Sequence, residues 1–113
     1  MKGGDLKVAR FENKYNITEI KMTKKIHNLC TIGQDWFTNN IEITFLPKDT
    51  IPDYIEVDKM VQSYEAKELV IEEVVNGILE NLKEYNPSYI NVVSKVDDAM
   101  HLPVEVVAEY KEN

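Results

Sequence analysis

One cysteine and two histidines stand in a chain of 113 residues, and these scarcities exclude much. A lone thiol, Cys30, cannot close an internal disulfide, which points to a reducing compartment, the cytoplasm. No two of Cys30, His27 and His101 stand at the spacing of a metal-binding pair, so no metal is expected. None of the four glycines belongs to a phosphate-cradling loop. No apolar run approaches the length of a membrane span, and Met1-Lys2-Gly3-Gly4-Asp5 lacks a signal-peptide core, so a soluble chain is expected. Basic residues are outnumbered, 13 Lys and Arg against 20 Asp and Glu, and the resulting charge of −7 argues against a simple nucleic-acid binder. Internal repeats and low-complexity segments are also missing.

What is present suffices for one packed domain. Apolar residues make up 43% of the chain, enough for a core without disulfide or metal support. Residues 1–14 read as an N-terminal extension and residues 15–113 as a single domain. The one basic stretch, Lys21, Lys24, Lys25 and His27, reads as a solvated strand face, with a local patch for an anionic substrate as the alternative.

Periodicity gives the order of elements. Ile17 to Ile26 is rich in strand formers, and Asn40 to Phe45 alternates cleanly as a half-buried strand ended by Pro47. Pro47, Asp49, Pro52 and Asp53 mark Lys48 to Asp58 as a connection. From Val61 to Tyr85 the period becomes helical, with Ile71, Val74, Val75, Ile78, Leu82 and Tyr85 on one face. Ser63 is placed to cap the start of that helix, and Asn86-Pro87 closes it. Gly77 costs helix stability, so close packing against a neighbour is its expected use. Tyr89 to Val96 and Val104 to Tyr110 read as two further strands. The order predicts an α+β fold: an antiparallel four-stranded sheet with helices on one face. Apolar residues on both faces of strands such as Tyr89–Val93 predict self-assembly.

Cys30 lies where the first strand-like run stops, before a turn-former and a carboxylate, in Cys30-Thr31-Ile32-Gly33-Gln34-Asp35-Trp36-Phe37. A thiol at a strand end with an acid nearby supplies a nucleophile and a proton donor. Inert packing of Cys30 and a purely turn-forming role for Asp35 are the plain alternatives. Trp36 and Phe37 read as core or interface, with ring stacking by Phe37 as the other possibility.

Leu29-Cys30, Gly33-Gln34, Asp35 to Phe37 and Ile41-Glu42-Ile43-Thr44-Phe45-Leu46-Pro47 together resemble the 7-cyano-7-deazaguanine reductase family. Lys59-Met60-Val61-Gln62-Ser63 looks like the start of its signature segment, and Asn86-Pro87-Ser88-Tyr89-Ile90 with Lys95 like its third-strand entry. The resemblance implies the tunnelling fold, a β-β-α(α)-β-β unit that assembles into an oligomeric barrel with its site between subunits. It implies Cys30 as the nucleophile that forms a covalent thioimide on a nitrile and Asp35 as the acid that protonates the nitrile nitrogen. It also implies Glu72 as the anchor of a purine-like ring, with Ser63 and Phe37 beside it.

Departures from the reductase pattern fall on cofactor binding. Gln62-Ser63-Tyr64 replaces a Glu-Ser-Lys run, Ile71 replaces a histidine, and the acidic turn Asp97-Asp98-Ala99-Met100-His101 replaces a glycine-rich, arginine-bearing one. Such a turn repels a phosphorylated nicotinamide. The chain therefore looks closer to the amidinotransferase branch, which adds ammonia to the nitrile of a deazaguanine in tRNA to give archaeosine and needs no nicotinamide, so no cofactor is favoured. The acidic charge weighs against tRNA as the substrate. An NADPH-dependent reductase of queuosine biosynthesis and a non-catalytic purine- or pterin-binding protein remain alternatives.

Overall fold

The structure is a computed structural model and describes residues 10–113. Residues 1–9 of the expected N-terminal extension lie outside that range. Four strands, β2 (Ile20–Leu29), β3 (Trp36–Leu46), β5 (Tyr89–Val96) and β6 (Val104–Lys111), form an antiparallel sheet in the order β2-β3-β5-β6. Two short strands, β1 (Arg10–Glu12) and β4 (Thr50–Pro52), pair with each other beside it, so β1 falls within the span read as an extension.

Alternation decides which side of the sheet is covered. Phe37, Asn39, Ile41, Ile43 and Phe45 of β3 are buried, as are Ile90, Val92, Ser94 and Val96 of β5. The intervening residues form a more polar face, where Glu42 and Lys95 pair at 3.1 Å. Helices α1 (Tyr54–Gln62) and α2 (Ile71–Leu82) cover the apolar face, giving the four-stranded, one-sided α+β architecture expected. Helix α2 buries Ile71, Val74, Val75, Ile78, Leu79 and Leu82 on one side. Each such residue, fully buried, contributes about 1.5–3 kcal/mol.

Three expectations need correction. The single helix read from Val61 to Tyr85 is two helices, and α1 begins inside the stretch read as a connection. Asp53 starts α1 by accepting the Ile55 N–H at 3.0 Å, directly after Pro52. Ser63 ends α1 instead of starting a helix: its N–H donates to the Lys59 carbonyl and its hydroxyl to that of Met60. The basic stretch also splits, because Lys24 turns to the helix side and pairs with Asp58 at 2.8 Å.

The segment 63–70 between the helices is stitched to the last residues of β2. Ala66 N–H donates to His27 O, Leu29 N–H to Lys67 O, and Leu69 N–H to Leu29 O. Glu65 accepts the His27 N–H at 2.7 Å and contacts its ring Nδ1 at 3.1 Å, which holds the Glu65 carboxyl below its ordinary value. Beneath this seam runs a buried polar chain. Ser94 donates to Asn39, Asn39 to Asn28, each at 2.7 Å, and Asn28 to the carbonyls of Tyr64 and Lys67 at 2.7 and 3.0 Å. All three side chains are fully buried, and their mutual bonds remove the cost of hiding them. Gly77 finds its use here: a Cβ at that position would lie 2.2 Å from the Tyr64 hydroxyl.

Candidate active site

Topology brings three segments to one end of the sheet. Strands β2 and β5 run the same way, since each pairs antiparallel with β3, so the β2–β3 and β5–β6 turns share an end. Helix α2 packs against β5 and connects to its beginning, so it runs back along the sheet and points its N-terminus at the same end. Its 12 residues span about 18 Å. Between the three segments lies a cavity of about 600 Å³.

The β2–β3 turn is tightly made. Cys30 N–H donates to Asp35 O at 2.9 Å, and Gln34 N–H donates to Cys30 O at 2.8 Å. Gln34 adopts a left-handed backbone, φ 58°, and its side-chain amide donates to Thr31 O at 2.9 Å. Cys30 is half-buried at the edge of the core, and its sulfur accepts the Gly33 N–H at 3.4 Å. A methyl group placed on Gly33 would lie 3.5 Å from Asp35 Oδ2 and 3.9 Å from Cys30 Sγ. Thiol and carboxylate thus face one small space that glycine keeps open.

The other walls come from α2 and the β5–β6 turn. Val70 has no side-chain oxygen to cap α2, and Glu73 instead reaches back to accept its N–H at 3.0 Å. That commits Glu73 to the helix end. Glu72 lines the cavity and has no hydrogen bond or ion pair with the described residues. Ala99, Met100, His101 and Leu102 also line it. Their turn is fixed at its base by Asp98, which accepts the Thr38 N–H at 2.9 Å and the Thr38 hydroxyl at 2.7 Å. These bonds lower the Asp98 carboxyl below its ordinary value of 3.8.

Four of the five residues singled out from the sequence, Cys30, Asp35, Phe37 and Glu72, line this one cavity, all from the same chain. Phe37 is buried in its wall, whereas Trp36 is exposed. Ser63 is not in the lining; it sits exposed at the end of α1. His101 is in the lining, a place that the sequence reading did not give it. The signal was topological: the shared end of two hairpins brings residue 101 near residue 30. The lining is mostly apolar with few polar groups, the usual make-up of a small-molecule site. It contains no lysine or arginine among the described residues. Nor do three His, Cys, Asp or Glu side chains gather to hold a metal among those residues. No described helix is long and apolar enough to cross a membrane.

No family model matches the chain. It is 29% identical over 91 residues to an archaeosine synthase from Pyrobaculum calidifontis, covering 80% of this chain and 83% of that protein. The apo crystal structure of a QueF-like archaeosine synthase superposes with a TM-score of 0.78 at 26% identity, covering 87% of this chain and 98% of the other. A putative dihydroneopterin aldolase from Vibrio cholerae gives a TM-score of 0.69 at 13% identity, covering 86% and 99% of the two chains. The Escherichia coli dihydroneopterin aldolase in complex with neopterin gives 0.65, also at 13% identity, covering 83% and 99%. At that identity the likeness is one of fold.

Proposed function

We infer the activity from a family premise: the chain has the tunnelling fold and is similar to the archaeosine-synthase branch of the 7-cyano-7-deazaguanine reductase family. The proposed reaction is addition of ammonia to the nitrile of a 7-cyano-7-deazaguanine, free or within tRNA. One observation carries it: Cys30, Asp35 and Glu72 line a single apolar cavity, with the Cys30 sulfur and the Asp35 carboxylate flanking Gly33.

In this reading Cys30 Sγ attacks the nitrile carbon while protonated Asp35 gives its proton to the nitrile nitrogen. The thiol proton passes to the emptied carboxylate, leaving a neutral thioimide. Coupling attack to protonation matters because a nitrile is a weak electrophile. Glu72, without a hydrogen bond or ion pair among the described residues, accepts N–H groups of the ring, and Phe37 supplies an apolar wall. Ammonia then displaces the thiol to give the amidine.

The cavity supports amidine formation over reduction because its described lining offers no cation for the phosphates of NADPH. We propose that no nicotinamide takes part. We further propose that the working form is a homo-oligomer in which a neighbouring copy closes the mouth, where Ile32, Met100 and Leu102 are more than four-fifths exposed.

Incubation with 7-cyano-7-deazaguanine and intact-mass measurement test the core step. The wild type should gain one substrate mass, and Cys30→Ala none. An unmodified wild type, or an equal gain in Cys30→Ala, refutes covalent catalysis at this residue and leaves ring binding as the activity. Oxidation of NADPH in the presence of the nitrile would favour the reductase reading instead.

A further inference from the structure

We propose that His101 is the base that takes a proton from ammonium and so delivers ammonia to the thioimide on Cys30. The inference rests on the amidinotransferase reading and concerns its second step. His101 lines the cavity from the β5–β6 turn. Its Nδ1 lies 2.8 Å from the carbonyl oxygen of Leu102. A carbonyl can only accept, so Nδ1 carries the proton, and the neutral ring then has its lone pair on Nε2. The ring is thereby held in the tautomer that a proton acceptor requires. His27, the other histidine, is occupied at Nδ1 by Glu65 and does not line the cavity.

The surroundings favour the same reactant. Ammonia exists at neutral pH mainly as ammonium, which has no lone pair and cannot attack. Glu72 lies in the wall, and Asp97 and Asp98 precede His101 in its turn. With no lysine or arginine in the described lining, this end of the molecule attracts a small cation. Asp35 already holds the thiol proton at this stage, so Nε2 is the base left to remove the ammonium proton.

The step balances. Ammonium gives one proton to Nε2; the freed ammonia attacks the thioimide carbon, and a C–N bond forms as the C–S bond breaks. The product leaves as an amidinium, the Cys30 thiolate takes the proton held on His101, and both residues return to their starting states. No oxidant or reductant is involved.

The test separates the two steps in the wild type, His101→Gln and His101→Ala. Without ammonium, both variants should form the 7-cyano-7-deazaguanine adduct as the wild type does, by intact mass. With ammonium chloride, amidine formation in both should fall by about a hundredfold. Added imidazole should restore part of the rate in His101→Ala, which leaves room for it. A full ammonia-dependent rate in His101→Gln overturns the proposal. So does parallel loss of adduct and turnover, since the residue would then only shape the wall. If the wild type itself forms no adduct, the nitrile reading falls first and this inference with it.

Discussion

The two turns that line the cavity are built differently. The β2–β3 turn is closed by main-chain bonds between Cys30, Gln34 and Asp35, and by the Gln34 side chain on Thr31 O. The β5–β6 turn is tied through one carboxylate, Asp98 on Thr38, and beyond it Met100 and Leu102 stand almost fully exposed. The groups proposed for the first bond-forming step thus sit on the stiffer wall. The looser wall carries the residue assigned to the incoming reactant. A nucleophile and its acid must be held in a narrow geometry, whereas a small second reactant must enter.

The largest expected effect lies on the stiff wall. Asp35→Asn should lower the rate of adduct formation about 100- to 10,000-fold in rapid-mixing mass measurements. Its fold should be unchanged, because no hydrogen bond of that carboxylate supports the turn. Asn39→Leu tests what holds the frame behind both walls. It leaves the buried Asn28 oxygen and the Ser94 hydroxyl unpaired, so denaturant unfolding should show a loss of about 3 kcal/mol. Gly33→Ala is the sharper probe. Its methyl would meet sulfur and carboxylate at ordinary contact distance, so the melting temperature should barely move. Adduct formation should nevertheless drop about tenfold, as the space between nucleophile and acid is filled.

The looser wall should answer more mildly. Asp98→Asn should leave adduct formation near wild type and slow the ammonia-dependent step a few-fold, about 3-fold. Stability should follow pH with a definite sign. The folded Asp98 value lies below 3.8, so its contribution is complete above that pH and is lost as pH falls through the folded value. Thermal melts should therefore show a constant advantage of wild type over Asp98→Asn down to about pH 4, shrinking below it. Equal sensitivity of the two walls in both steps would remove the distinction between them.

Much of this was readable from residues alone, and each miss has a physical cause. Strand β5 spans Tyr89–Val96 as its pattern predicts, because β-branched residues there alternate without interruption. The helical region was misdivided because its break is made by distant partners. Segment 63–70 contains no proline or glycine; it leaves the helix because Ala66, at φ 65°, and its neighbours bond to the end of β2. Strand β2 starts at Ile20, three residues later than its pattern predicts. Asn13 bonds both the carbonyl and the N–H of Ile17, which holds that residue in a loop. At the site, Cys30, Asp35, Phe37 and Glu72 were identifiable because local pattern and resemblance pointed to them. His101 was not, because nothing near it in sequence indicates that two hairpins meet.

The seam between segment 63–70 and β2 also has an outward consequence. Alternate residues of an edge strand turn their backbone groups away from the sheet, and on β2 those are Lys21, Thr23, Lys25, His27 and Leu29. The last two are already bonded to the segment between the helices. Any chain docking laterally on this edge therefore meets a short window of three residues, two of them lysines. Its register against the molecule is fixed before the partner arrives.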